Sequence, residues 1–320
     1  MNPIFALIIT NLIWGAASPI FKFALGNIPP FTLAFIRFFF AGLIFIPLAI
    51  RSWQKMSQKD LMEILIAGFF GITINISFFF IGLEKANSIN APVIASAGPV
   101  FIYIFSIIFL REKSNNKVLI GMLFSLIGVL VIIFSPIIME GKKVDFGAVE
   151  GNILFLIATF GAVFNTIFNK EVLKRINPYQ TTCISFLFGA LTFSPFMVRE
   201  LSTWSFSQLD IHGWVGIIYG IFFSSALAYF LYSYGISKLK AQEVGVFTYI
   251  DPVIATLLAI PLLHEYPNIY FVIGAFLIFG GIFLAEKRIN WHPIQKLKES
   301  YMSNKQFFHV FKTLDRYDEF

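Results

Sequence analysis

Charged residues and cysteine are both scarce in this chain, and each shortage excludes a class of protein. Only 13% of the 320 residues are Asp, Glu, Lys or Arg, while 57% are hydrophobic, whereas about a quarter of the residues in soluble domains are charged. This composition excludes a water-soluble fold and makes the lipid bilayer the first expected partner. The single cysteine, Cys183, excludes an intramolecular disulfide.

Several functional motifs are missing as well. The first basic residue, Lys22, follows an apolar run that starts at Ile4. The basic region of a secretory signal is therefore absent, and we expect a retained spanning helix. The four histidines fall outside the long apolar runs, so we expect no metal site and no cofactor. No phosphate-binding Walker loop occurs. Lys and Arg punctuate the apolar runs instead of clustering, so we expect no nucleic-acid partner despite the net charge of +6.

Ten apolar runs are long enough to cross a bilayer, which takes about 20 helical residues. The runs fall at approximately 4–25, 31–50, 64–83, 89–110, 118–139, 151–169, 179–198, 214–236, 244–263 and 268–285. Lys and Arg concentrate in the loops after the second, fourth, sixth and eighth runs. Because cytoplasmic loops retain an excess of these residues, we expect both termini in the cytoplasm and a location in the inner (plasma) membrane.

The second half of the chain repeats the first. Three pairs share an offset of 153 residues: Gly82 and Gly235, Pro99 and Pro252, Glu112 and Glu265. Each half contains five runs, an odd number, so the second half enters the membrane from the opposite side. The expected fold class is an all-α membrane protein of ten transmembrane helices in two inverted five-helix repeats. The expected divisions are a repeat at 1–140, a linker loop at 141–150, a repeat at 151–287 and a cytoplasmic tail at 288–320.

Motifs in both halves resemble a known family. The stretch NLIWGAASPIFKFALGNIPPFTLAFIRFFFAGLIFIP resembles the start of the EamA repeat of the drug/metabolite transporter superfamily. Five of its residues stand where the family has them: Trp14, Gly15, Lys22, Pro30 and Arg37. Glu112 and Glu265 are similar to the acidic residue that follows the family's fourth helix. The second half lacks a counterpart of Trp14 and has Ser185 in place of Arg37. The resemblance implies transport of a small metabolite and names no cargo.

Three ionisable side chains fall inside the apolar runs, where such groups commonly mark a cavity, a pair or a substrate path. Lys22 either snorkels to the headgroups or serves the path. Arg37, about 9 Å deep at 1.5 Å per residue, either holds an anionic group of the substrate or anchors a neighbouring helix backbone. Asp251 either takes up a proton that couples transport or stabilises a helix kink.

Prolines and polar residues at mid-depth complete the predicted site. Pro99 and Pro252 each remove a helix hydrogen bond inside an apolar run, so both are candidates for helix breaks or gating. The candidate substrate-binding residues are Trp14, Arg37, Asn75, Asn165, Tyr229 and Tyr249. The asparagines could instead join helices, and the aromatic residues could instead fill space.

The sequence therefore predicts a secondary active transporter. We expect export of a small polar metabolite, such as an amino acid or a related compound, by alternating access with proton coupling through Asp251. The alternative is an exchanger of a nucleotide-type or adenosyl metabolite. A channel or a membrane-embedded enzyme is less consistent with the pattern, because two inverted repeats suit alternating access and no buried catalytic set is present. The sequence indicates no oligomeric state and no role for the tail.

Overall fold

A computed structural model describes residues 2–101, 104–105, 116–139, 145–239 and 246–286. The described residues up to Ala285 form one compact unit. Residues 102–103 and 106–110 of the fourth apolar run lie outside the described residues, and so does Glu112, which follows that run. Residues 141–144 of the expected linker and the expected tail at 288–320 also lie outside them.

Helices dominate the described part of the chain, which contains no β-strand. The α-helices are α1 (Pro3–Leu25), α2 (Pro30–Arg51), α3 (Gln58–Lys85), α4 (Asn90–Ala95), α5 (Asn116–Met139), α6 (Phe146–Val172), α7 (Pro178–Glu200), α8 (Ile211–Lys238), α9 (Asp251–Leu263) and α10 (Ile269–Glu286). Residues 98–101 are also helical, and 3-10 helices cover Phe206–Gln208 and Val246–Ile250.

Seven of the helices are long and apolar enough to cross a membrane, namely α1, α2, α3, α5, α6, α7 and α8. Two shorter apolar helices span Phe247–Leu263 and Ile269–Leu284. Large apolar side chains on these helices are exposed, for example Phe276 at 79% and Leu191 at 67%. Such a surface is stable against lipid, so the molecule is a multi-pass helical membrane protein.

Polar residues fix where several helices begin. The Asn2 side chain accepts a hydrogen bond from Ile4 N at the start of α1. Ser57 and Asp60 form a reciprocal capping box at the start of α3. Asn177 caps α7 in the same way as Asn2 caps α1, and a proline follows it directly. These caps satisfy backbone N–H groups that lack partners within the helix.

Two of the long helices change their winding at corresponding places. α3 contains a π-helical segment at Phe69–Ile74, and α8 contains one at Tyr219–Leu227. A shift by 153 residues moves the first segment onto residues 222–227 of the second. Two other apolar runs are interrupted beside a short helix. α4 ends before a turn at 96–97, and α9 begins directly after a 3-10 helix.

The α2 and α7 helices pack antiparallel and are joined at both ends. At one end, Glu200 Oε2 accepts hydrogen bonds from Thr32 N at 2.6 Å and Thr32 Oγ1 at 2.8 Å. At the other end, Asn177 Nδ2 donates to Ser52 O at 2.7 Å. Gln54 N donates to Gln180 Oε1 at 2.9 Å. Since charged and neutral hydrogen bonds fix both ends, this pair forms a stable part of the bundle.

Candidate functional site

A cavity of about 210 Å³ lies between α1, α2, α3, α4, α6, α8 and α9. This volume is smaller than the roughly 300–1,000 Å³ of the usual site for a drug-sized ligand. Both halves of the chain supply its walls. The two π-helical segments also reach it, through Gly71 in α3 and Ser224 in α8.

Arg37 lines the cavity and is only 1% exposed. Its Nε donates to Ser225 Oγ at 2.9 Å, and its Nη2 donates to Ser224 Oγ at 3.0 Å. The guanidinium carbon lies 4.5 Å from the ring centre of Phe21 and 4.6 Å from that of Phe38. The hydrogen-bond partners of Arg37 are therefore serine hydroxyls. The sequence analysis had offered a neighbouring helix backbone as the alternative to a substrate group. Nη1 has no hydrogen-bond partner among the described residues.

Asp251 also lines the cavity and is 9% exposed. Its Oδ1 is buried and accepts no hydrogen bond from the described residues. The backbone of Asp251 lies against Gly15 of α1, where an added Cβ would come within 2.9 Å of Asp251 Cα and 2.8 Å of Ile254 Cβ. Glycine therefore allows α1 to approach α9 at the level of this carboxylate.

An aromatic wall forms another side of the cavity. The ring centre of Trp14 lies 5.1 Å from that of Tyr229 in an edge-to-face contact and 4.9 Å from that of Tyr232. Trp14 Nε1 donates to Ser224 O at 3.2 Å. The Tyr229 hydroxyl donates to Gly71 O at 3.3 Å. The wall therefore joins α1 and α8 and connects both to the π-helical segment of α3.

Both candidate asparagines line the cavity and join helices at the same time. Asn75 Nδ2 donates to Ala158 O at 2.7 Å, and Asn165 Nδ2 donates to Ala67 O at 2.8 Å. An added Cβ on Gly71 would lie 2.2 Å from Asn165 Nδ2. The two amides thus hold α3 and α6 together beside the cavity, and each retains a carbonyl oxygen as an acceptor.

Three residues named from the sequence do not line the cavity. The first is Pro252, although its neighbour Asp251 and the corresponding proline of the first half, Pro99, both line the cavity. Tyr249 is also absent from the lining and packs edge-to-face on Phe279 of α10, with ring centres 5.7 Å apart. Lys22 lies beyond the cavity, where its Nζ donates to Ala86 O at 2.6 Å. Nζ also lies 2.8 Å from Glu265 Oε1, so this ammonium has a carboxylate partner.

The sequence analysis missed several polar residues of the site. Ser224 and Ser225 hold Arg37, and Tyr232 extends the aromatic wall while sharing a hydrogen bond with Thr166 at 2.7 Å. Tyr232 lies three residues after Tyr229, a spacing that puts both on one helical face. This spacing could have predicted Tyr232 from the sequence. The two adjacent serines in an apolar run could have predicted Ser224 and Ser225.

Metal ligation finds no support in the part of the chain that the structure describes. There, His, Cys, Asp and Glu form no group of three or more that could hold an ion.

Comparisons with known proteins agree with this architecture. Residues 1–134 and 149–286 match the model of the EamA-like transporter family. An uncharacterized transporter of Bacillus subtilis strain 168, YetK, is 28% identical over 274 residues, covering 84% of this chain and 82% of the relative. An uncharacterized transporter of Archaeoglobus fulgidus is 27% identical, covering 88% of this chain and 98% of the relative. A crystal structure that is 20% identical superposes with a TM-score of 0.65 and covers 90% of this chain and 98% of the other, which shows a shared fold.

Proposed function

Because the chain belongs to the EamA-like transporter family, we propose that it is a secondary active transporter that exports a small polar metabolite by alternating access. One observation carries this proposal. A single cavity receives side chains from both matched segments and contains a buried arginine, Arg37, and a buried aspartate, Asp251. A substrate site where two halves meet is the arrangement on which alternating access depends.

The proposed architecture has ten transmembrane helices in two inverted five-helix repeats, with both termini in the cytoplasm and the protein in the inner (plasma) membrane. The two family matches in succession support the duplication. The π-helical segments of α3 and α8, which share the offset of 153 residues, support it independently. The excess of Lys and Arg in alternate loops supports the orientation.

The proposed cargo is an amino acid or a related compound with both charges. A guanidinium binds a carboxylate through paired hydrogen bonds. A carboxylate together with aromatic faces binds an ammonium group. Arg37 supplies the first kind of group, and Asp251 with Trp14 supplies the second. The volume of about 210 Å³ suits a molecule of this size.

We further propose that Asp251 couples export to protons. Its Oδ1 is buried and accepts no hydrogen bond from the described residues, so no donor in that set stabilises negative charge on this oxygen. A buried carboxylate in this situation readily exchanges a proton when the cavity opens to water. Protonation on one side and release on the other would link the proton gradient to substrate movement.

Asp251→Asn tests the coupling. The amide keeps the shape of the side chain but carries no titratable proton. In proteoliposomes loaded with amino acids, flux driven by a pH gradient should fall to the background rate, while counterflow between equal pools should persist. Asp145→Asn is the matched control, because Asp145 is an exposed cap of α6 and asparagine caps a helix equally well. Unchanged pH-driven flux in Asp251→Asn would remove Asp251 from the coupling mechanism.

The same assay separates the alternative function. The rings of Trp14, Tyr229 and Tyr232 present flat aromatic surface to the cavity, a feature that would also suit a nucleobase. An exchanger of a nucleotide-type or adenosyl metabolite would require preloaded cargo and would show no flux under a pH gradient alone. That outcome, with amino acids inactive, would replace the amino acid proposal.

A further inference from the structure

A partly buried ion pair joins the two halves of the chain outside the cavity. Lys22 Nζ lies 2.8 Å from Glu265 Oε1 and donates to Ala86 O at 2.6 Å. Lys22 belongs to α1, Ala86 follows α3, and Glu265 follows α9. The pair therefore connects the matched segment 1–134 to the matched segment 149–286.

The second oxygen of Glu265 binds a third part of the chain. Oε2 accepts hydrogen bonds from Ser88 N at 2.7 Å, from Ser88 Oγ at 2.7 Å and from Ile89 N at 3.4 Å. Ser88 is completely buried, and Glu265 is 8% exposed. A carboxylate held this way accepts several bonds from one short stretch of backbone just before α4.

These contacts lie next to one end of the cavity, because Phe21, which lines the cavity, directly precedes Lys22. Ser18 lines the cavity and precedes Lys22 by four residues, which is about 6 Å along α1. Ala91 and Pro92 line it as well and come directly after the backbone that binds Glu265. The three segments that meet at Glu265 therefore converge immediately past one end of the cavity.

The α9 helix connects the cavity to this cluster. Its first residue, Asp251, lines the cavity, and Glu265 follows its last residue, Leu263, by two positions. His264 ends the helix in the left-handed conformation, with φ of 54°. Glu265 N donates to Ala259 O at 3.3 Å in this turn. The turn fixes the carboxylate to the end of α9, so movement of the helix moves Glu265 with it.

A related contact lies in the other half of the duplication. Lys170 Nζ donates to Ile236 O at 2.6 Å and also to Leu239 O. Leu239 follows Ala86 by 153 residues, the offset of the sequence repeat, and Lys170 follows Lys22 by a similar distance of 148 residues. Each half of the chain therefore has a lysine near the end of a long helix, α1 or α6, that donates to a backbone carbonyl.

From this geometry we infer that Lys22, Glu265 and Ser88 form a latch that closes one end of the cavity and separates when the transporter opens at that end. The inference rests on the proposed transport function. Charged groups suit a reversible closure, because water replaces their lost partners when the end opens. An apolar seal of equal size would expose hydrophobic surface to water instead. The latch is thus a contact that stabilises one state of the transport cycle selectively.

A cysteine accessibility experiment tests the latch without any cargo. In a Cys183→Ala background, Ser18→Cys places one thiol in the cavity wall. Ser18 Oγ has no hydrogen-bond partner among the described residues, so the exchange removes no bond from that set. A membrane-impermeant maleimide is applied to right-side-out and to inverted vesicles. Glu265→Gln should accelerate labelling from one side only, by about tenfold, as expected when one conformation loses a selective contact.

Two further variants separate the latch from general damage. Lys22→Met removes the ammonium and should reproduce the one-sided acceleration, whereas Lys22→Arg keeps the charge and should keep labelling slow. If Glu265→Gln is too unstable to purify, the two Lys22 variants still decide the matter. Lys85→Gln is the control, because Lys85 forms an exposed ion pair of 2.6 Å with Glu150 next to Ala86.

Labelling that stays unchanged in both Glu265→Gln and Lys22→Met would overturn the latch. Acceleration from both sides alike, or equal acceleration in Lys85→Gln, would also overturn it, because it would indicate loosened packing. None of these readouts depends on the substrate. A failure to transport amino acids in proteoliposomes would therefore count against the proposed cargo and leave a one-sided labelling result standing.

Discussion

At the scale of single residues, the surroundings of Arg37 explain how a full charge is stable inside the bundle. Two serine hydroxyls accept its hydrogen bonds, and the ring centres of Phe21 and Phe38 lie within 4.6 Å of its guanidinium carbon. The guanidinium is therefore held in a fixed orientation before any substrate arrives. Such preorganisation lowers the entropic cost of binding an anionic group.

Arg37→Lys should weaken substrate binding while leaving the protein folded. Lysine keeps the positive charge but lacks the planar guanidinium. A single ammonium group cannot donate to Ser224, to Ser225 and to a substrate carboxylate at the same time in the geometry that arginine allows. Loss of one hydrogen bond to a charged group should raise the KM for transport about tenfold. Initial rates in proteoliposomes over a range of substrate concentrations measure this, and thermal unfolding checks stability.

Arg51→Lys is the control for this substitution. Arg51 is the last residue of the same helix, α2, and its side chain is exposed. The exchange should leave the KM and the unfolding temperature unchanged, since exposed cations are interchangeable where they make no bidentate contact. Equal KM values for Arg37→Lys and the parent protein would contradict a substrate-binding role for Arg37.

Several residues of the site could be predicted individually from the sequence. The sequence did not show which way each helix is rotated, and therefore which side chains face the cavity. Trp14 and Asp251 stood out because polar groups are rare in apolar runs, and both line the cavity. Tyr249 stood out for the same reason but lies in a 3-10 helix. Three residues per turn direct a side chain differently from the 3.6 of an α-helix. Tyr232 lies on the same face of α8 as Tyr229, so the three-residue spacing alone would have predicted it.

At the scale of elements, the π-helical segments determine which backbone and hydroxyl groups reach the cavity. In α3, the segment brings Gly71 against Asn165 with no room for a Cβ. In α8, it brings Ser224 and Ser225 to Arg37. One extra residue per turn rotates the later part of a helix, and such segments are frequent at functional sites. Hydrophobic periodicity assumes regular winding and gave no sign of them.

Helix ends were the least predictable feature of the elements. α3 begins at Gln58 and α8 at Ile211, earlier than their apolar runs at 64–83 and 214–236. An apolar run marks only the part of a helix that matches the hydrocarbon thickness. The caps Ser57 and Asp210 extend these helices beyond it.

The contact between α5 and α10 permits a matched test of close helix packing. A Cβ on Gly281 would lie 2.3 Å from Gly121 O and 2.6 Å from Ser125 Oγ, whereas a Cβ on Gly280 would meet nothing within 4 Å. Ser125 Oγ also donates to Ile278 O at 3.1 Å. Gly281→Ala should therefore force the helices apart and destabilise the protein by about 1–3 kcal/mol.

Gly280→Ala is the internal control, one position away in the same helix. It should be neutral or stabilise the protein by up to about 1 kcal/mol, because alanine favours a helix over glycine. Thermal unfolding in detergent, followed by tryptophan fluorescence, compares the two. Equal melting temperatures for both variants would argue against close packing of α5 and α10 through Gly281.

At the scale of the whole molecule, the proposed transport cycle requires some contacts between helices to persist and others to separate. The α2 and α7 pair is joined at both ends, by Glu200 at one and by Asn177 and Gln180 at the other. The latch residues Lys22 and Glu265 join the ends of α1 and α9 at one point beside the cavity. A rocking motion that leaves the first set intact and separates the second would open the cavity without unfolding either half.

The orientation of the whole molecule decides which side of the membrane the latch faces, and two exposed loop residues test it. Lys174 lies just after α6, in a loop rich in basic residues, and Thr203 lies just after α7. With both termini in the cytoplasm, α7 runs outward. In the Cys183→Ala background, Thr203→Cys should react with an impermeant maleimide in intact cells. Lys174→Cys should react only after permeabilisation, and the latch then closes the external end.

The reverse pattern would invert the assignment, because a helix has one loop on each side of the bilayer. Lys174→Cys would then label in intact cells and Thr203→Cys would not. The excess of Lys and Arg in alternate loops would have misidentified the cytoplasmic face. The ion pair of Lys22 and Glu265 would close the cytoplasmic end, and its release would admit substrate from the cell interior. The labelling pattern of these two thiols therefore determines which step of export the latch controls.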